Sequence, residues 1–369
     1  MRTLPTFLFA ATLVALSCFQ PLAAQEKKTD TSIQWHDITK WGVEGRILPQ
    51  QERARWFDRL PASAEGKVTP AVWSLSRDSA GMVVRFKTDA TELWIDYQLK
   101  DGGIAMPHMP ATGVSGVDLY ARDTDGRWKW VAVTKPTAQK VSVKWIGGLA
   151  PGEREYAAYL PLYNGIDALK IGVPQAAKFE GLAPREKPIV FYGTSITHGA
   201  CASRPGMVHT AILGRWLDRP VANLGFSGNG KMHEEVADYL VQVDAAAYVI
   251  DCLPNMSAGD VTQRCVPLVK QIRSAKPDTP IILVEDRRNT NDWILPARNQ
   301  HHTANHAALK KAYQELTDAG VKNLYYIEGD TLYGDDTEGA TDASHASDLG
   351  FMRQAEAFKP VLEKALGSN

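Results

Sequence analysis

The chain has 369 residues, of which 44% are hydrophobic and 22% charged, ordinary proportions for a protein that buries a full core. This excludes disorder over most of the length, a collagen-like repeat and a small disulfide-stapled scaffold. Lys+Arg 41 against Asp+Glu 42, with no run of five like charges, points away from nucleic-acid partners and from a polybasic membrane patch.

At the N-terminus, Arg2 precedes an apolar run over residues 4–19 and then Pro21-Leu22-Ala23-Ala24-Gln25. This is the pattern of a secretory signal over residues 1–24, cut after Ala24. The run is about 16 residues, short of the roughly 20 that a spanning helix needs. A secreted or periplasmic chain is therefore expected, with no transmembrane segment after signal removal. Acylation of Cys18, as a lipoprotein, is the weaker alternative. Export permits disulfides, and the mature chain would keep Cys201, Cys252 and Cys265. Cys265 falls on the apolar face of a predicted helix, and pairing of Cys201 with Cys252 stays open.

Residues 25–184 read as an antiparallel, jelly-roll-like β-sandwich. Leu93, Ile95, Tyr97 and Leu99 alternate with Trp94, Asp96 and Gln98, the period of a half-buried strand. Two further runs flank Asp125-Gly126, a hairpin turn signal, and Leu169, Ile171 and Val173 alternate again.

Over residues 185–369 the pattern changes. Continuous apolar runs at 189–192, 246–250, 281–284 and 323–327 alternate with helical patterns at 232–243, 257–274 and 303–319. Strands apolar on both faces, interleaved with helices, predict a parallel sheet covered on both sides.

In such a sheet the ligand site lies beyond the carboxyl ends of the strands. There the sequence reads Gly193-Thr194-Ser195, then Ser227-Gly228-Asn229, then Asp251-Cys252-Leu253-Pro254-Asn255. Before the final helix it reads Asp342-Ala343-Ser344-His345. These supply what a serine hydrolase requires. Ser195, at a strand-to-helix turn, is the candidate nucleophile. His345 is the candidate base, and Asp342 would orient it; of the nine histidines only His345 has an Asp three residues earlier. The N–H groups of Ser195 and Gly228 and the amide of Asn255 are candidate oxyanion donors.

In this order the four blocks resemble the signature blocks of the SGNH (GDSL-like) hydrolase superfamily. Gly116-Val117-Asp118-Leu119-Tyr120 resembles the Gly-x-Asp-Leu-Tyr motif of an N-terminal sandwich in one exported bacterial subgroup. The resemblance implies a flavodoxin-like three-layer α/β/α domain after the sandwich. It also implies esterase activity, with Ser195 as nucleophile and Gly228 and Asn255 in the oxyanion hole. Three departures bear on pocket shape: Thr194 where the superfamily often has Asp, Asn255 without its usual neighbours, and Ala343-Ser344 for Gly-Thr.

Other readings are weaker. Ser227 misses the G-x-S-x-G elbow by one position. His302 and His306 sit at metal-pair spacing, but the glutamate of H-E-x-x-H is missing, so no metal is expected. No nucleotide-binding glycine pattern is present and no cofactor is expected. The polar segment over residues 286–302 is long for a connection and suggests a binding loop. Arg287 and Trp293 on it, with His198, are candidate substrate contacts. The alternative for Arg287 is a brace to Glu285 or Asp286. The expected substrate is a small-molecule or oligosaccharide ester, acetylated carbohydrate first, by analogy with the resemblance. A lipase or thioesterase for longer acyl chains and a silent glycan-binding protein are the alternatives.

Overall fold

The computed structural model describes Met1 and residues 32–367. Residues 2–24 of the expected signal, Cys18 among them, lie outside the described residues. Among those described, no helix is long and apolar enough to cross a membrane.

Period-two sequence builds the first half. Its strands are β1 (Ile33–Asp37), β2 (Val83–Thr88), β3 (Glu92–Leu99), β4 (Asp118–Arg122), β5 (Trp128–Val133), β6 (Lys140–Gly147), β7 (Arg154–Tyr159), β8 (Ile166–Pro174) and β9 (Phe179–Leu182). They form two antiparallel sheets, ordered β1-β8-β3-β6 and β5-β4-β7-β2-β9. On β3, Leu93, Ile95, Tyr97 and Leu99 are buried while their neighbours are half-exposed. They share one core with Val84 and Phe86 of β2, Leu119 of β4 and Ile171 of β8, so the sheets face each other as a sandwich. The hairpin β4–β5 turns at Asp123–Gly126 as its sequence requires. Two short helices, α1 (Pro70–Ser76) and α2 (Ala111–Val114), interrupt the strands.

The second half is a parallel sheet of β10 (Ile189–Gly193), β11 (Val221–Gly225), β12 (Ala247–Asp251), β13 (Ile281–Val284) and β14 (Leu324–Ile327), ordered β11-β10-β12-β13-β14. The helices between and after them are α3 (Ser195–His198), α4 (His209–Trp216), α5 (Glu234–Leu240), α6 (Ala258–Ala275), α7 (Pro296–Asp318) and α8 (Asp348–Ala365). Alternate residues of β10 divide between two cores. Val190 and Tyr192 pack with Val236, Leu268 and Leu309 of α5, α6 and α7. Ile189 and Phe191 pack with Ile212 of α4 and Phe351 and Phe358 of α8. This is the three-layer α/β/α arrangement, in the 2-1-3-4-5 strand order of flavodoxin-like folds.

Two ties join the halves. Ile47, Leu60, Val72 and Trp73 lie in the same core as Val190 and Leu224, so this early segment belongs physically to the parallel sheet's packing. Asp118 of the Gly-x-Asp-Leu-Tyr motif is fully buried. It accepts from Trp130 Nε1 at 2.9 Å, Arg204 Nη1 at 2.8 Å and the Gly206 N–H at 2.8 Å. The motif thus clamps the loop that follows α3.

One expectation is corrected and one open question is answered. Helix α7 starts at Pro296, seven residues before the apolar pattern suggests, which shortens the expected long loop to residues 285–295. Pro296 suits a first helical position, and the buried stripe begins with His302, Asn305 and His306 before reaching Leu309. A stripe that opens with polar residues hides from hydrophobic periodicity. Cys201, Cys252 and Cys265 are all free and buried, so Cys201 and Cys252 do not pair.

Candidate active site

The strand order reverses between β10 and β12, and register aligns Gly193 with Gly225 of β11 and Asp251 of β12. The turns after these strands therefore converge on one crevice. Close backbone packing shapes it: a Cβ on Gly230 would stand 1.9 Å from the Gly193 carbonyl oxygen.

Ser195 opens α3, capped by Thr194, whose Oγ1 accepts the Ile196 N–H at 3.3 Å. Its Oγ lies 2.9 Å from His345 Nε2. His345 Nδ1 lies 2.8 Å from Asp342 Oδ2. With Nδ1–H donating to the carboxylate, Nε2 is left to accept the serine proton. Asp342 Oδ1 also accepts the His345 N–H at 2.7 Å and the Ser344 N–H at 3.1 Å. Burial pushes the Asp342 carboxyl up, but these hydrogen bonds and the imidazole outweigh it and hold it below the ordinary range. The turn requires φ +71° at Ala343, a region glycine adopts more easily. From outside, Tyr333 donates to the Ser344 carbonyl at 2.7 Å and the Thr290 N–H to that of Ala343 at 2.9 Å.

The expected oxyanion donors are unengaged. Asn255 Nδ2 is buried and has no hydrogen-bond partner among the described residues, and the N–H groups of Ser195 and Gly228 meet no acceptor among them. Gly228 takes φ +68° and is exposed, with open space where a Cβ would stand.

Two candidate substrate contacts are corrected. Arg287 is 1% exposed. It forms a bidentate pair with Asp251, with Nη2 at 2.9 Å from Oδ2, and donates from Nε to Gln354 at 2.7 Å. It braces the end of β12 to α8, through neither Glu285 nor Asp286, and cannot reach a ligand. His198 is fully buried, donates from Nε2 to the Leu162 carbonyl at 2.7 Å and stacks on Tyr163. Burial, with Arg59 nearby, keeps its imidazole neutral. Trp293, by contrast, is 72% exposed. It lines a groove of about 430 Å³ with Arg288, Asn289, Thr290, Asp330 and Tyr333.

The helical histidine pair is engaged in bracing. His302 donates from Nδ1 to Asp286 at 2.9 Å and accepts the Asn289 N–H at 3.2 Å, and His306 donates to the Asp286 carbonyl at 2.7 Å.

Sequence reasoning missed residues of the first half that support the site. Tyr163 donates to the Ser195 carbonyl at 3.1 Å. Arg59, fully buried, donates to the carbonyls of Asn223 and Gly225 at 2.9 Å each, holding the end of β11. His108 stands beside His345, ring centroids 5.9 Å apart. No local pattern marks any of the three.

A Ser–His–Asp relay with unengaged N–H donors, set at the switch point of a 2-1-3-4-5 sheet, is the layout of an SGNH-type hydrolase. The GDSL-like lipase/acylhydrolase family matches residues 186–363, and the N-terminus of SGNH hydrolase-type esterases (GxDLY) matches residues 33–179. No curated protein matches. Among solved structures, a GDSL-like lipase from Bacteroides ovatus is 33% identical, covering 91% of this chain and 98% of its own, with a TM-score of 0.85. The salicylyl-acyltransferase SsfX3 of a tetracycline biosynthetic pathway is 20% identical, covering 91% and 98%, with a TM-score of 0.73. A family two carbohydrate esterase from Cellvibrio japonicus is 12% identical, covering 91% and 99%, with a TM-score of 0.58. The last two share the fold. The chain belongs to the GDSL-like (SGNH) lipase/acylhydrolase family, in the group that carries a GxDLY-type N-terminal sandwich.

Proposed function

We propose that this chain is an exported serine esterase that removes small acyl groups, acetyl above all, from carbohydrate esters. The observation that carries the reading is the continuous relay from Asp342 through His345 to Ser195 at 2.8 and 2.9 Å. Ser195 Oγ attacks the ester carbonyl as His345 Nε2 takes its proton. The negative oxygen is held by the N–H groups of Ser195 and Gly228 and by Asn255 Nδ2. The tetrahedral intermediate collapses, His345 returns the proton to the leaving alcohol, and an acyl-serine forms. Water, activated by the same imidazole, then releases the acid.

A carbohydrate alcohol is favoured by the groove where exposed Trp293 stands among Arg288, Asn289 and Asp330, since two of its lining residues, Thr290 and Tyr333, hydrogen-bond the 342–345 turn. An apolar ring flanked by polar side chains suits a sugar's mixed faces. The shared fold with family two carbohydrate esterases supports the same substrate class.

The test is hydrolysis of acetyl, butyryl and octanoyl p-nitrophenyl esters by the mature chain, alongside Ser195→Ala. The expected result is acetyl preference, with kcat lowered about 10⁴-fold or more by the substitution. Octanoyl preference would select a lipase or thioesterase. Equal rates in both proteins would remove Ser195 from the mechanism.

A further inference from the structure

Overlapping the relay lies a second constellation, two members of which, His108 and Cys201, esterase chemistry does not use. One nitrogen each from His108 and His345, Cys201 Sγ and a carboxylate oxygen of Asp342 all lie within 4.8 Å of one another. They come from three parts of the fold, Asp342 and His345 sharing one turn. His108 rides a tight turn closed by paired backbone hydrogen bonds between Met106 and Met109, at 3.0 and 3.1 Å, with Met109 buried. Cys201 follows the nucleophile's own helix, and its N–H donates to the Ala346 carbonyl at 2.9 Å, one residue past His345.

We propose that His108, Cys201, Asp342 and His345 form a site for a borderline-soft divalent metal ion, zinc by its donor set, and that occupancy switches the esterase off. Two imidazoles, one thiolate and one carboxylate make a four-coordinate N₂SO set, and their two negative charges match a dication. Calcium and magnesium prefer all-oxygen shells, so thiolate and imidazole select against them. The metal–sulfur bond forms as the thiol proton leaves to water.

The inhibitory consequence follows from double use of two residues. Asp342 and His345 serve the relay to Ser195 and would also serve the metal. An imidazole that gives its lone pair to zinc cannot accept the serine proton, and a carboxylate drawn to zinc no longer orients the ring. Binding and catalysis then exclude each other. The switch rests on the serine esterase reading; the metal site does not.

The two are separable in one experiment on the mature chain. Co²⁺ titration reads the site without turnover, because a thiolate–Co²⁺ bond gives a charge-transfer absorption. One equivalent should produce that band in wild type and none in Cys201→Ala or Cys201→Ser. His108→Ala, on an exposed turn, should weaken binding at least about tenfold. In parallel, micromolar Zn²⁺ should abolish acetyl ester turnover, reversed by chelator. In Cys201→Ser and His108→Ala the inhibitory concentration should rise by at least about tenfold, and in Cys201→Ser metal-free turnover should be retained. Mg²⁺ should do nothing. Absence of the band in wild type, or unaltered binding in both variants, would overturn the site. A band with undiminished turnover at saturating Zn²⁺ would overturn the switch. A band in a wild type that hydrolyses no ester would leave the site standing and refute the esterase reading.

Discussion

Two histidines in this chain donate from Nδ1 to an aspartate at nearly the same distance, His345 to Asp342 at 2.8 Å and His302 to Asp286 at 2.9 Å. They differ in what the other nitrogen meets. In His345 it faces the Ser195 hydroxyl in a crevice at the strand ends, and the imidazole remains a quarter exposed. In His302 it accepts the backbone N–H of Asn289 beneath the 288–295 loop, and the ring is buried. A histidine–carboxylate dyad is a clamp wherever its outer nitrogen is closed by backbone. It becomes a candidate base only where that nitrogen is left to a nucleophile. The same contrast governs the acidic residues: Asp342 is held ready at the surface, while Asp251 is locked to Arg287 inside.

The comparison can be broken most sharply at Asp342. Asp342→Asn should lower kcat for acetyl esters by about 10³–10⁴-fold, since the amide favours the wrong imidazole tautomer, with no change in melting temperature. A loss under tenfold would show that the carboxylate does not orient the base. Next comes the locked pair. Arg287→Ala leaves Asp251 buried without its partner and should lower unfolding free energy by about 3–5 kcal/mol, read by urea denaturation. A stable variant with raised KM would return Arg287 to the substrate. Third, His302→Leu strands the Asp286 carboxylate and should destabilise by about 1–3 kcal/mol while leaving kcat unchanged. A fall in kcat at unchanged stability would mean that the inner dyad takes part in turnover.

The smallest effect concerns His209, fully buried between Phe351 and Phe358. Burial, and then the charge of Arg287, hold its imidazole well below 6.5. The unfolded chain takes up a proton near pH 6.5 that the folded chain refuses, so this contribution is intact above that pH and declines below it. Asp251, pushed up by burial, acts in the opposite sense, so the difference from a variant isolates the histidine. Between pH 6.5 and 5, wild type should lose up to about 1.4 kcal/mol per pH unit more than His209→Leu. Parallel pH profiles would show that His209 is not the group concerned.

Much of this protein was legible in order along the chain. Period-two alternation marks β3, continuous apolar runs mark β10, β12 and β13, and Gly193-Thr194-Ser195, Gly228, Asn255 and Asp342/His345 fall at strand ends. These signals concern neighbours within a few residues, where periodicity and turn chemistry operate. What the tertiary structure alone decided is which distant groups meet. Ser195 and His345 are 150 positions apart, Arg59 and Tyr163 reach under the site from the first half of the chain, and Arg287 turns inward to Asp251 instead of outward to a ligand. Partners of that kind are set by strand order and register, and a charged side chain reads the same in sequence whether it faces water or a buried counter-ion. Local pattern names the groups able to do chemistry; only packing determines which of them have a free hand.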